Sequence, residues 1–473
     1  MTADPELDDL NSLIRLLLYS NEIEIEGLIY ASSQFHWRGD DDGTKFFLPD
    51  REYDAPQSSW RWAPGERFIH DAVDAYADCH ANLAVHDPRY PAPEMLRSVI
   101  REGNVTFEGD TSQETPGSRL IAEVLLDDRP GPVHLQLWAG PSTVARALMS
   151  IEERYSGSSE WERIHRDVSR KAVITKFASQ DSTYDTYIAP VWPGIRVLEV
   201  ATFAWGYGAR RTIPPAHHHL LSADWMRQNI TSVGPLGALY RVWGDGRQMV
   251  PGDMTDYFHL SGLSAEELRG QGYRVWTEPQ PAGEWISEGD STTMLNVIVP
   301  SLRGHEHPSF GGWGGRFART DIGADTWGLV DAAFPVGDGD ESSVTRWFPD
   351  AQTDFAARLR WSITSAFHEV NHHPTLHVSP GENVDARPGS LVTLSAATSD
   401  PDGDAVICRW RIDDASTSST EPTLTIIDDR TAMIHVPDDA LPGETVHVLV
   451  EAEDDASRPL KAYRRVIVAV VRA

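Results

Sequence analysis

Residues 1–35 read MTADPELDDLNSLIRLLLYSNEIEIEGLIYASSQF, and how this stretch folds decides the class of the chain. Leu10, Leu13, Ile14, Leu17 and Leu18 recur at the spacing of one buried helical stripe. Ser20-Asn21 closes that helix, and the segment IEIEGLIYAS alternates before turning continuously apolar, as a buried strand does. Asp4, Asp8 and Asp9 stand at the helix start. Carboxylates there serve two purposes. They cap orphan N–H groups and complement the helix dipole, or they converge around the D-P-x-x-D-D turn as oxygen donors for a hard cation such as Ca²⁺.

Beyond this stretch, strand-like and helix-like segments alternate: GPVHLQLWAG (131–140), then PSTVARALMSIEERY (141–155), then RKAVITKFAS (170–179). Such alternation predicts a parallel sheet in α/β layers, with ligands collecting at the carboxyl ends of its strands. After FHEVNHHPTLHVSP (367–380) the style changes to short alternating runs split by turn clusters. That pattern predicts an immunoglobulin-like sandwich of about 100 residues. The expected division is an α/β domain over 1–370 and an all-β sandwich over 374–473.

The 71 acidic residues outnumber the 41 basic ones, for a net charge of −30. A surface of that sign repels phosphate backbones, so a nucleic-acid polymer is excluded as partner. The two cysteines, Cys79 and Cys408, fall in different predicted domains and make no disulfide framework. No apolar run has the length of a membrane span, and oligomeric state is not legible.

DPELDDLNSLIRLLLYSNEIEIEGLI (4–29) resembles the opening motif of the inosine-uridine nucleoside hydrolases. IYASSQFHWRGDDDGTKFF (29–47), SSWRWAPGERFI (58–69) and GGWGGRF (311–317) resemble more closely the nucleoside hydrolase-like proteins described as cellulose-binding, which carry a C-terminal β-sandwich. The resemblance implies a Ca²⁺ site whose ligands are Asp4, Asp9, the Trp138 carbonyl in LWAGPSTVARAL and Asp354 in AQTDFAARLRW, with Asp8 on sugar hydroxyls. It also implies hydrolysis of a glycosyl bond, N-glycosyl or a related sugar bond, by metal-activated water with Asp4 as general base. The alternative is a non-catalytic carbohydrate (cellulose)-binding protein using the same pocket and the sandwich.

Three positions depart from the motif: Glu6 replaces its glycine, Thr2 its first aspartate, and Thr353 the histidine of the late H-D-P element. The metal and sugar half therefore carries over better than the nucleobase half. The resembled proteins also carry a buried strand ahead of the aspartates and an export signal. Met1 sits almost on the motif here, so the first strand is expected to be missing through a mis-called start, with an extracellular or periplasmic location if so.

Further substrate contacts are expected from Glu288 and Asp290 in WISEGDSTTMLNVIVP (285–300), with helix capping by Asp290 as the alternative. The loop HEHPSFGGWGGRFAR (305–319) offers Trp313 and Arg316 as a lid or sugar-stacking element, or as an ordinary glycine-rich turn. Trp60 and Trp62 either stack on sugar or pack an insertion. The histidines of AHHHLL (216–221) and NHHP (371–374) are expected to be solvated, and SDPDGDAV (399–406) to form a tight turn rather than a Ca²⁺ loop.

Overall fold

The computed structural model of the chain describes residues 1–332, 341–419 and 421–472. Its larger part surrounds an eight-stranded sheet made of β1 (Thr2–Ala3), β2 (Leu28–Tyr30), β3 (Ile100–Glu102), β4 (Val133–Leu137), β5 (Ala172–Lys176), β6 (Arg196–Glu199), β7 (Phe317–Arg319) and β8 (Thr326–Leu329). The order is β3-β2-β1-β4-β5-β6-β8-β7, parallel except for the final β8–β7 pair. From β1 the chain moves to β2 and β3 on one side, then returns to place β4 on the other. The carboxyl ends of β1 and β4 therefore flank the point where strand order reverses, the usual crevice for a ligand in an open α/β sheet.

The helix after β1, α1, spans Leu7–Leu18 and so begins ahead of Asp8 and Asp9, which occupy its first turn. Leu13, Ile14, Leu17 and Leu18 of its apolar stripe are buried as the periodicity predicts and Leu10 partly so, but Asn11, Ser12 and Arg15 on the other face are buried too. The 289–293 turn and the helix Phe348–Trp361 cover that face. A polar helix face buried this way must find internal partners, and Asn11 and Arg15 do.

The position expected to lack its strand is held by β1, two residues long, with Thr2 opposite Ile29 and Leu137 and Ala3 opposite Tyr30. The adjoining strand is shorter than its alternation predicts. Residues 23–27 have no strand beside them among the described residues, so only Leu28–Tyr30 pair. A groove of about 440 Å³ runs below β1 between Ile25 and the Val133–Leu137 edge.

The C-terminal part consists of two four-stranded sheets. One has the order β10 (Asn383–Ala386), β16 (Lys461–Val470), β15 (Thr445–Asp454), β12 (Val406–Ile412), and the other β13 (Thr423–Asp428), β14 (Thr431–His435), β11 (Leu391–Ser399), β9 (Thr375–Ser379). All neighbours are antiparallel except β10 and β16. Alternate residues of β11, β12 and β14 turn inward, and Leu394, Ile434, Val448 and Val466 meet in the core.

Buried charges join the two parts. Asp413, after β12, accepts from Arg316 at 2.8 Å and from Arg465 at 2.7 Å. Arg465 is buried and also donates to the carbonyls of Leu302 and Phe310. The NHHP segment, expected to be solvated, is tied down on both sides: His372 contacts Asp402 and His86, and His373 contacts Asp354. Asp402 thus serves this junction, while the Asp400 carboxylate accepts the Asp402 and Asp404 amides in the expected turn. Among the described residues both cysteines are buried and free, and no helix is long and apolar enough to cross a membrane.

Replacing Asp413 by Ala leaves two guanidinium groups facing each other in a largely buried junction. The full-length variant should lose about 3–5 kcal/mol of stability in urea unfolding. An unchanged midpoint would show that the junction does not depend on this carboxylate.

Candidate metal centre and its cavity

At the carboxyl end of β1 the chain turns sharply: the Glu6 amide donates to the Asp4 carbonyl at 2.8 Å, and the Asp4 amide to Asp9 Oδ1 at 3.1 Å. Asp9 thus closes the strand-to-helix turn. Glu6 is the N-cap residue of α1 by position, yet its side chain makes no capping bond. Asp8 and Asp9 lie at the positive end of the helix dipole, which favours their ionised forms.

Asp290 arrives from the opposite wall on the short turn Gly289–Thr293. Four contacts fix that turn. Glu288 pairs with Arg15 of α1 at 2.5 and 2.9 Å. Ser287 Oγ donates to Asp8 Oδ2 at 3.0 Å, Ser291 Oγ to Glu288 at 2.9 Å, and the Trp138 indole to Thr293 Oγ1 at 2.7 Å. Gly289 is required by close approach, because a Cβ there would lie 2.7 Å from Asp8 Oδ2.

Asp4, Asp8, Asp9 and Asp290 are buried together, with Glu6 partly buried among them. Among the described residues no lysine or arginine lies within ion-pair distance of any of the five. Only His36 does, its Nδ1 3.2 Å from Asp4 Oδ1 and 3.8 Å from Glu6 Oε2. Burial raises the Asp4 carboxyl to about 7 and Asp8 to about 6. Burial and then the neighbouring carboxylates raise Glu6 to about 8 and hold Asp9 and Asp290 well above the usual range. Burial, followed by the Arg61 charge, lowers His36 to about 4, leaving it neutral at pH 7. Both Asp4 oxygens and His36 Nδ1 lack a hydrogen-bond partner. Unpartnered buried carboxylate oxygens fit a bound cation. Donor atoms of Glu6, Asp8 and Asp9 lie within 4.8 Å of one another, as do those of Asp4, Glu6 and His36.

Glu6, Asp8, Asp9 and Asp290 open onto a cavity of about 1210 Å³. Asp8, Asp9 and Asp290 form its floor, and Trp243, Tyr207, Phe258 and Trp276 line one wall. Tyr207 stacks on Phe258 with centroids 5.0 Å apart and donates to Glu6 at 3.2 Å. Trp276 meets Tyr207 edge-on and is 53% exposed at the mouth. Aromatic faces above fixed carboxylates suit a polyhydroxylated ring.

The structure brings together Asp4, Asp8, Asp9, Trp138 and Asp290, but not the other expected site residues. Asp354 is not the late metal carboxylate. Pro349 starts its helix at Phe348, so Asp354 lies mid-helix. There it accepts from Tyr19 at 2.7 Å and from Arg358 at 2.7 Å, and it contacts His373. Burial raises its pKa, but His373 and Arg358 outweigh this and hold it below the usual carboxylate range. Tyr19 is ten residues beyond Asp9, about 15 Å along α1. Asp290, rather than Asp354, stands near Asp9 at the cavity floor.

Glu288 is fully buried, with its oxygens occupied by Arg15, Tyr240 and Ser291, and has no room for substrate. Trp313 is a buried ring against Tyr19 and Tyr463, and Arg316 binds Asp413, so the expected lid is a junction between the two parts. Trp60 and Trp62 pack the insertion, while Arg61 between them lines the cavity, held by Asp253 at 2.7 Å. The Trp138 carbonyl accepts from Gln180 at 2.7 Å, which leaves one lone pair for a further partner.

The model of the family described as "Cellulose-binding Sde182, nucleoside hydrolase-like domain" matches residues 1–317, and that of the "Cellulose-binding protein Sde0182, C-terminal domain" matches residues 391–470. The chain belongs to this Sde182 nucleoside hydrolase-like family. No functionally curated protein matches it. Among solved structures it is similar to a nucleoside hydrolase-related hypothetical protein from Saccharophagus degradans associated with carbohydrate metabolism, at 23% identity and a TM-score of 0.73, covering 99% of each chain. The titin M3 domain matches at 18% identity and a TM-score of 0.15, covering 21% of this chain and 97% of its own.

Freed of divalent ions by a chelator, the protein should lose stability as pH rises from about 5 to 8. The stabilising contribution of Asp8 and Asp4 is fully present below the unfolded carboxyl pKa near 4 and is lost as pH passes about 6 and 7. Added Ca²⁺ should raise the melting temperature more at pH 8 than at pH 5. A chelated protein whose melting temperature does not change over this range would contradict the cluster's charge state.

Proposed function

We propose that this member of the family holds a carbohydrate in the carboxylate-floored cavity and hydrolyses a glycosyl bond with the help of Ca²⁺. The observation that carries the reading is the convergence of buried Asp4, Asp8, Asp9 and Asp290 at the carboxyl end of β1, with no lysine or arginine among the described residues within ion-pair distance of them. Asp8, Asp9, Glu6 and Asp290 would hold the ion, with the Trp138 carbonyl as the neutral donor. When bound, Ca²⁺ supplies a docking point for sugar hydroxyls and for water.

The chain's own groups do the rest. Asp4 accepts the proton of the attacking water, a role suited to a carboxyl whose pKa stands near 7. Asp8, oriented by Ser287, accepts from a sugar hydroxyl. The negative floor stabilises positive charge developing at the anomeric carbon. The aromatic wall excludes water and orients the ring. A cavity of 1210 Å³ exceeds the common range for a single small ligand, which favours an oligosaccharide or other extended glycoside.

A second reading, capture of carbohydrate without turnover, is favoured by the exposed Trp276 beside Tyr207 and Phe258. Such a platform binds sugar whether or not a bond is broken.

Calorimetric titration with cello-oligosaccharides and nucleosides, run beside a reducing-sugar assay in Ca²⁺, separates the two. Asp9→Ala should abolish both Ca²⁺ binding and hydrolysis. Asp4→Asn keeps an oxygen donor but cannot accept a proton, so it should keep sugar affinity and lose at least about 10²-fold in turnover. Sugar binding by the wild type with no hydrolysis of either substrate class would leave the binding reading alone. No sugar binding at all would defeat both.

A further inference from the structure

His36 has no part in the function proposed above, yet it stands beside Asp4 and Glu6, behind the carboxylates that line the cavity. It follows β2 in the loop SSQFHW, which carries it to the carboxyl end of the strand next to β1. The loop is pinned at both ends. The Ser33 amide donates to the His36 carbonyl at 2.9 Å, and the His36 amide to Ser33 Oγ at 3.2 Å. Trp37 and Trp60 then exchange backbone bonds of 2.9 and 2.8 Å. The imidazole is 2% exposed and Asp4 1% exposed.

A buried imidazole next to a buried carboxylate ordinarily forms a hydrogen bond. Here His36 Nδ1 and Asp4 Oδ1 stand 3.2 Å apart without forming one; Nδ1 has no partner, and the Asp4 carboxylate has only the nearby Ser33 hydroxyl, outside good hydrogen-bond geometry. Three donors that share one ion at about 2.1 Å each are separated by about 3–4 Å. The distances from Nδ1 to Asp4 Oδ1 and Glu6 Oε2, 3.2 and 3.8 Å, have that spacing. The spacing suits three donors around one ion better than a hydrogen-bonded pair.

We propose that Asp4, Glu6 and His36 form a second cation position beside the oxygen-lined one, with Glu6 shared between them, and that its nitrogen donor selects a transition-metal ion such as Mn²⁺ or Zn²⁺ over Ca²⁺. Ca²⁺ takes oxygen donors, whereas imidazole suits the first-row metals. The Arg61 charge, which also faces Asp4 and Glu6, is taken up by Asp253 at 2.7 Å and Glu52 at 3.4 Å. This position also gives Glu6 a role where the nucleoside hydrolase motif has glycine. The proposal extends the reading above by one ion and does not require the bond-breaking step.

The test uses the full-length protein, stripped by chelator and loaded with Mn²⁺. Bound metal is counted after equilibrium dialysis, and pulsed electron paramagnetic resonance reads nitrogen coupling to the ion. The wild type should bind two Mn²⁺ and show ¹⁴N coupling. His36→Ala should bind one and lose the coupling, while Asp290→Ala, which removes a ligand proposed for the oxygen-lined position and leaves the Asp4–Asp9 turn intact, should keep the nitrogen-coupled ion. One Mn²⁺ without nitrogen coupling in the wild type, unchanged in His36→Ala, would overturn the second position and leave the first intact. No Mn²⁺ or Ca²⁺ bound to the folded wild type would overturn both. The wild-type spectrum alone shows or excludes a nitrogen ligand, so the test decides even where a variant fails to fold.

Discussion

The buried pair between Arg15 and Glu288 holds the centre together. Arg15 lies on α1, two turns beyond Asp8 and Asp9, and Glu288 lies two residues before Asp290. The guanidinium also donates to the Ala351 carbonyl and to Gln352, and it lies over the rings of Trp205 and Phe355. A charge buried this deeply is tolerated only when its donors are met, and here each donating nitrogen finds an acceptor. The result is a fixed distance between the first turn of α1 and the Gly289–Thr293 turn. Without that constraint, four carboxylates that repel one another would have no reason to share a floor.

Repulsion is the second constraint, and it runs against stability. Asp4, Asp8, Asp9 and Asp290 lose solvation and sit close to one another, so each holds its proton more tightly than a free carboxylate. A fold keeps such an arrangement when something outside the polypeptide offsets it. A divalent cation does so directly by replacing protons with a charge the oxygens can share. The aromatic wall above the floor and the acidic exterior point to a neutral, hydroxyl-rich ligand rather than a phosphate-bearing one. Mutually repelling buried carboxylates collected at one crevice mark a candidate functional site.

Much of this was legible in the sequence. The periodic leucines of α1, the alternation from 131 to 179 and the short runs after 390 are regular signals, and each became the expected element. The three opening aspartates were found because motif spacing fixes a tight turn locally. What failed depended on distance along the chain. Asp354 and Asp290 are both late aspartates in helical settings, and only the fold shows that the first is held by Arg358 and His373 while the second faces Asp9. Trp313 and Arg316 carry the residue types of a sugar-binding loop, yet they serve the junction with the C-terminal sheets. His36 and Arg61 lie in the stretches 29–47 and 58–69 that carry the family resemblance but no assigned site role, and Tyr207 reaches the site from a segment with no motif around it. Glu6 did carry a signal, as a charged residue where the motif has glycine.

The central claim is that the buried carboxylates exist to hold a metal ion. Anomalous diffraction from a crystal grown with Mn²⁺, recorded on both sides of the manganese absorption edge, tests it most directly. The account predicts an anomalous peak within about 2.5 Å of oxygens from Asp8 and Asp9. A map with no anomalous peak at the floor, and with the carboxylates instead hydrogen-bonded in protonated pairs, would contradict it.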